Sequence, residues 1–64
     1  MIHTLSGKLS AVGNNFILLE VGGVGYKIFV SDSVLKELPQ VESSLRLYTF
    51  LYLREDHVSL YGFL

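Results

Sequence analysis

The fold is decided by the stretch from Val24 to Pro39, which reads VGYKIFVSDSVLKELP. In its first part, large apolar side chains alternate with other residues. Every second side chain over residues 24–30 is a sizeable apolar one: Val24, Tyr26, Ile28 and Val30. Alternation with a period of two is typical of a strand with one buried face. Residues 24–30 are therefore predicted to form a strand.

The second part of the stretch has the period of a helix. Residues 31–33, Ser-Asp-Ser, supply side-chain oxygens of the kind that cap helices. Val34 and Leu38 then lie four positions apart, and Pro39 prevents further helix. A short helix over 33–38 is predicted.

Two strands are predicted before this stretch. Residues 2–12 alternate, and one set is predicted to face inward: Leu5, Gly7, Leu9 and Ala11. Residues 13–15, Gly-Asn-Asn, have turn chemistry because Gly and Asn tolerate positive φ. The apolar run 16–21 is the second strand, and the Gly-Gly pair at 22–23 predicts a two-residue hairpin to the third.

Two further strands are predicted after the helix. The inward set of residues 44–53 is Leu45, Leu47, Thr49, Leu51 and Leu53. In residues 58–64, Val58, Leu60 and Leu64 share one face, opposite Tyr61 and Phe63. The charged run 54–57, Arg-Glu-Asp-His, joins the two strands and is predicted to be a hairpin tip.

Five strands with a short helix between the third and fourth are the element order of the OB-fold, a five-stranded Greek-key barrel. The predicted class is therefore all-β with one small inserted helix, in a single domain over residues 1–64. An SH3-like barrel is the alternative, although it has no natural place for this helix. A core of this size rarely supplies more than about 3–5 kcal/mol, so we expect support from self-assembly or from a following domain.

Composition excludes several classes of protein. With 5 basic and 6 acidic residues among 64, the net charge is −1, and the basic residues are scattered rather than clustered. We therefore expect weak binding of short DNA by this domain alone. No cysteine is present, so there is no disulfide and no thiolate metal site. The sequence shows neither a secretory signal nor a membrane span, and a cytoplasmic location is expected.

No catalytic or cofactor motif can be identified. The glycine-rich run 22–25 lacks the third glycine of the dinucleotide fingerprint, because position 28 is Ile. His3 and His57 lie at opposite ends of the chain and form no base–orienter pair in the sequence. The chain is expected to be no enzyme and to hold no cofactor and no metal.

The outward face of the fourth strand is unusual. Tyr48, Phe50 and Tyr52 alternate with the inward leucines, so they face solvent unless something covers them. A partner surface is the simplest cover, and the helix or a loop of the same chain is the alternative. A second candidate surface lies on strands 2 and 3, where Lys27 and Phe29, with Phe16, could serve a generic OB module that binds single-stranded nucleic acid or a small ligand.

The sequence resembles the RuvA N-terminal domain family, whose proteins are the Holliday-junction-binding subunits of the bacterial RuvAB branch-migration complex. The resemblance covers the whole chain. It rests on these runs at their separations: Met1-Ile2, Leu5, Gly7, Leu19-Glu20-Val21-Gly22-Gly23-Val24-Gly25-Tyr26, Glu37-Leu38-Pro39, Arg54-Glu55-Asp56 and Leu60-Tyr61-Gly62-Phe63.

The resemblance implies a non-catalytic scaffold in DNA recombination and repair. Four subunits of the family assemble through an OB-fold first domain, a helix-hairpin-helix domain grips four-way junction DNA, and a third domain contacts the RuvB motor ATPase. This chain would be the first domain only, an N-terminal fragment that joins a homotetramer. Glu55 and Asp56 correspond to the family's acidic pin, which separates strands at the junction, and Arg54 is a candidate for DNA proximity or for pairing with them. A purely structural assembly domain with an inert loop is the remaining reading.

Overall fold

The computed structural model describes residues 2–64, so Met1, which is part of the resemblance, lies outside the described residues. It contains five strands and one helix: β1 (Thr4–Val12), β2 (Phe16–Val21), β3 (Val24–Phe29), α1 (Asp32–Lys36), β4 (Ser44–Leu53) and β5 (Val58–Phe63). The strands close into a barrel in the order β1-β2-β3-β5-β4. The predicted OB-fold is confirmed, with the helix between the third and fourth strands.

The neighbouring strands are antiparallel except for one pair. β3 and β5 run parallel and meet where Phe29 lies opposite Tyr61. β1 serves two neighbours, because its first half pairs with β4 and its second half with β2. The Gly22-Gly23 hairpin forms as predicted, with positive φ at both glycines (58° and 85°), which residues without a Cβ adopt without strain.

Among the described residues, nine buried apolar side chains form the core: eight come from the five strands and the helix, and Val30 directly follows β3. They are Leu9, Ile17, Leu19, Ile28, Val30, Val34, Leu45, Leu47 and Leu60. Thr49 is the buried polar residue among the described ones. Its hydroxyl donates to the Ile2 carbonyl at 3.1 Å, and its N–H donates to the His3 carbonyl at 2.8 Å, so it fastens the start of the chain to β4.

The helix is shorter than the predicted 33–38. It begins after Ser31, whose hydroxyl accepts a hydrogen bond from the Val34 N–H at 3.3 Å. It ends at Lys36 because the Glu37 N–H bonds back to the Val34 carbonyl, which tightens the last turn. Val34 is the buried residue by which α1 packs on the barrel.

A bulge in β1 overturns one predicted inward residue. The pairing with β2 shifts between Leu9 and Ala11, so Ala11 lies opposite Leu18, on the outer side of β2. The loop before β4 packs on the strand here, since the Leu9 N–H donates to the Ser43 carbonyl and the Leu9 carbonyl accepts from Glu42.

An ion pair lies beside this loop. Lys8 Nζ is 3.2 Å from Glu42 Oε1. The hydrogen bond to Glu42, together with the charges of Glu42 and Glu20, raises the pKa of Lys8 above its ordinary value of 10.5. The backbone of Glu42 has a positive φ of 81°, a conformation that residues other than glycine adopt at a cost in free energy.

Four other residues on the apolar faces predicted from alternation are exposed, and all lie near the ends of elements. They are Val24, Leu53, Val58 and Leu64. For Leu53 and Val58 the reason is clear. β1 pairs with β4 only as far as Tyr48, and β3 meets β5 only at Tyr61, so the far half of the β4–β5 hairpin has no neighbouring strand to enclose its inner face.

Candidate functional site

The candidate site is built on the far half of the β4–β5 hairpin. The two strands stay paired through Leu51–Leu60, Tyr52–Ser59 and Leu53–Val58, beyond the last residues that the neighbouring strands reach. The Arg54 N–H donates to the His57 carbonyl at 2.9 Å and closes the turn. The hairpin thus extends past the barrel and presents residues 54–57, which we call the hairpin tip.

Both carboxylates of the hairpin tip are exposed. Asp56 Oδ1 lies 2.9 Å from Nδ1 of the neighbouring His57. Glu55 takes part in none of the ion pairs found among residues 2–64. The tip therefore carries two exposed carboxylates, and the one on Asp56 contacts His57.

Arg54 turns away from these carboxylates. Its guanidinium lies over the Tyr52 ring, 5.4 Å from the centroid, which is a cation–π distance. The predicted alternative of pairing with Glu55 or Asp56 is not what the structure contains. The side chain stays close to the tip, and its predicted proximity to DNA stays a prediction.

Tyr48, Phe50 and Tyr52, which we call the aromatic face, all point outward from β4. Their exposed fractions are 58%, 57% and 39%. The rings of Phe50 and Tyr52 are 6.5 Å apart, and the Arg46 guanidinium lies 5.9 Å from the Tyr48 centroid. Neither the helix nor a loop of the described chain covers the aromatic face, so that alternative is wrong. The predicted cover by a partner stays a prediction.

β5 extends the aromatic face, a feature that was not predicted from the sequence. Tyr61 lies opposite Phe50 and Phe63 opposite Tyr48. The Tyr61 and Tyr52 rings meet edge to face at 6.5 Å. The alternation of residues 58–64 does predict that Tyr61 and Phe63 lie on the face opposite Leu60. The register between β4 and β5 is needed to show that these two rings adjoin the aromatic residues of β4.

A second cluster lies on the outer side of β2 and β3, and Tyr61 connects it to the aromatic face. The Lys27 ammonium is 4.6 Å from the Phe16 ring centroid and 5.3 Å from that of Phe29. The Phe29 ring is in turn 5.7 Å from that of Tyr61. The structure thus brings together the three residues of the second candidate surface and adds a tyrosine from β5.

Metal ligands do not cluster in the described part of the chain. No group of three or more His, Cys, Asp or Glu residues is placed to hold an ion there. Over the same residues, no helix has both the length and the apolar character needed to cross a membrane.

Comparison with known proteins gives a consistent result. The family model "RuvA N terminal domain" matches residues 1–62. Similar curated proteins are called "Holliday junction branch migration complex subunit RuvA". The one from Acetivibrio thermocellus is 42% identical over 64 residues, all of this chain and 32% of the relative. Those from Lachnospira eligens and Rickettsia bellii are 42% and 41% identical over 64 residues, again all of this chain and 31% of each relative. The chain thus spans about a third of the length of the curated relatives it matches.

Proposed function

The chain belongs to the RuvA N-terminal domain family, and on that basis we propose that it is the assembly domain of a Holliday-junction branch-migration subunit. It serves as a non-catalytic scaffold in DNA recombination and repair in the cytoplasm. It joins a homotetramer and brings one hairpin tip per subunit to the point where four DNA arms meet.

The hairpin tip acts by charge. Glu55 and Asp56 are exposed and lie at the end of a hairpin that extends past the barrel. Four converging tips place about eight negative charges near one axis, and phosphates within a Debye length of about 8 Å at physiological salt feel that repulsion. Such a cluster disfavours continuous duplex at the centre and favours strands that separate there.

The aromatic face supplies part of the subunit contact. Burying an aromatic side chain stabilises by on the order of 2 kcal/mol, which matters to a domain whose core is made of nine residues. Tyr48 and Phe50 are more than half exposed, so they have surface left to bury. A contact on this face leaves the hairpin tip free, because the tip lies beyond the last aromatic of β4.

We assign DNA binding and contact with a motor ATPase to the domains that follow in a protein of the relatives' length. A net charge of −1 gives this chain little counterion release on binding phosphate. Arg54 is the arginine of the hairpin tip, and we assign it a position close to the DNA backbone.

The observation that carries this proposal is the pair of exposed carboxylates at the end of a projecting hairpin in a chain of this family. It is tested in a chimera in which residues 1–64 replace the matching third of the Acetivibrio thermocellus relative. Substituting Glu55→Gln and Asp56→Asn removes charge and keeps shape. We expect tighter binding to plain duplex, a smaller preference for four-way junctions over duplex, and altered branch migration with the motor present.

The matched control is Asp32→Asn with Glu37→Gln, which removes the same charge at the helix, away from the tip. It should leave junction preference unchanged. The comparison is run at low and high salt, because screening must reduce an electrostatic effect. Unchanged duplex affinity at low salt in the tip variant would contradict repulsion and leave a purely structural assembly domain.

A further inference from the structure

The far half of the β4–β5 hairpin is apolar on both of its faces. Tyr52 of the aromatic face lies on the outer side. Leu53 and its cross-strand partner Val58 lie on the inner side, and both are more than half exposed. Next to them, Leu51 is partly buried and packs against the core. We call Leu51, Leu53 and Val58 the inner patch. Because successive side chains of a strand point to opposite faces, one short ribbon presents apolar groups in two directions.

The inner patch differs from the other exposed apolar positions. Outside the aromatic face and its extension on β5, the exposed large apolar residues among the described ones are Val12, Val24, Val41, Leu53, Val58 and Leu64. Leu53 and Val58 are the two of these that lie opposite each other in a strand pairing. Contiguous apolar surface with a polar rim is typical of a protein contact, and the rim here is the charged hairpin tip.

The proposed convergence of four hairpin tips restricts which surfaces can meet. In a cyclic assembly, each subunit contacts its two neighbours through two different surfaces, whereas a surface that meets its own copy forms a twofold dimer. The aromatic face of one subunit must therefore lie against some other surface of the next. That surface has to be apolar, and it has to lie close to the tip because the tips meet at the axis.

We propose that the aromatic face of one subunit packs against the inner patch of the next copy of the chain, in a head-to-tail contact that repeats around the ring. This inference rests on the proposed function and adds the second side of the subunit contact. The two surfaces suit each other because one consists of large rings and the other of smaller aliphatic side chains. They lie on opposite faces of one ribbon, so they can face both neighbours at once.

This contact also determines how the tips are placed. Both of its sides belong to the hairpin that ends in residues 54–57, so the packing that joins two subunits sets the distance between their carboxylates. In a separated monomer, Leu53 and Val58 face solvent. Substitutions there should therefore change association and leave the stability of the single barrel almost unchanged.

The test uses the chimera of residues 1–64 with the Acetivibrio thermocellus relative. Val58→Glu places a charge on the inner patch, and Phe50→Glu places one on the aromatic face. Val24→Glu is the matched control, because Val24 is also more than half exposed but lies at the start of β3. Light scattering and native mass spectrometry give the masses. We expect tetramers for the parent and the control. Each of the other two variants alone should be monomeric, because the contact would bury an unpaired charge.

A mixture of Val58→Glu and Phe50→Glu distinguishes this contact from one between two aromatic faces. The first variant keeps its aromatic face and the second keeps its inner patch, so one intact contact can form between them. We expect heterodimers and no larger species, and their formation also shows that both variants are folded. If aromatic faces met each other, Val58→Glu would assemble like the parent and the mixture would contain no heterodimer.

The outcomes separate this inference from the function on which it rests. A tetrameric parent whose Val58→Glu variant is also tetrameric would overturn the head-to-tail contact alone and leave the assembly role in place. A mixture that stays monomeric, or an equal loss of tetramer in the Val24→Glu control, would overturn the contact in the same way. A monomeric parent chimera would overturn the assembly role and the contact together.

Discussion

The two halves of the β4–β5 hairpin share one sequence pattern but lie in different surroundings. Near the barrel, the inward residues Leu45, Leu47 and Thr49 are buried. Towards the tip, Leu53 and Val58 continue the alternation and are 58% and 63% exposed. The near half has β1 beside β4, and the far half has no neighbouring strand. Alternation thus tells which side chains share a face, and the neighbouring strand decides whether that face becomes a core.

The strongest test of this contrast removes a leucine from each half. Leu47 is fully buried, so Leu47→Ala should lower the free energy of unfolding by about 2–5 kcal/mol. Leu53→Ala should change it by no more than about 0.5 kcal/mol. Urea unfolding of the two variants measures the difference. Equal losses would mean that the far half is packed against something in solution.

A glycine pair tests how tightly the near half is packed. A Cβ at Gly62 would lie 2.7 Å from Ile28 Cγ2 and 3.1 Å from Leu47 Cδ1, both in the core. Gly62→Ala should therefore cost about 1–3 kcal/mol of stability. At Gly25 a Cβ meets nothing within 4 Å, so Gly25→Ala should be neutral or slightly stabilising. A neutral Gly62→Ala in thermal unfolding would show that the near half is looser than described.

The hairpin tip should contribute little to stability. Glu55→Gln with Asp56→Asn, made in the 64-residue chain, should shift the free energy of unfolding by less than about 0.5 kcal/mol, because both side chains are exposed. Chemical denaturation measures the change. A large loss would connect the tip to the barrel and weaken the contrast between the halves.

The smallest effect is expected at the Lys8–Glu42 ion pair, at the near end of the barrel. The raised pKa of Lys8 means that its contribution is fully present below about pH 10.5 and is lost as pH rises through the higher value in the folded state. Lys8→Met should thus be slightly destabilising at pH 7, and less so at high salt or once the pH exceeds the raised pKa of Lys8. Lys36→Met is the matched control, and a pH-independent difference between the two would contradict the ion-pair origin.

The sequence predicted most elements because their signals are local. The bounds of β2 and β4 agree with the prediction, and the Gly22-Gly23 turn forms as expected. The helix is shorter than predicted because a backbone hydrogen bond from Glu37 ends it before Leu38. The bulge at Ala11 reverses a face, and alternation alone cannot reveal an extra residue in one strand.

The surfaces were harder to predict because they depend on register between distant strands. The three outward aromatics of β4 follow from alternation, and their exposure agrees with it. Tyr61 joins Phe29 only through the parallel pairing of β3 with β5, for which the sequence has no local signal. The roles proposed for Glu55 and Asp56 rest on family resemblance, since two carboxylates at a turn are also what a solvated hairpin contains.

The meeting of Phe29 with Tyr61 also has a consequence for how the chain folds. Strands β1 to β3 are joined by short turns, as are β4 and β5, so each group can form locally within microseconds. Two strand pairings unite the groups, β1 with β4 and β3 with β5. Both join residues far apart in the chain and therefore require closure of a long loop. We expect closure of the barrel to limit the folding rate. The β3–β5 pairing includes fewer residues than the β1–β4 pairing, so it should be the first to open in the native protein.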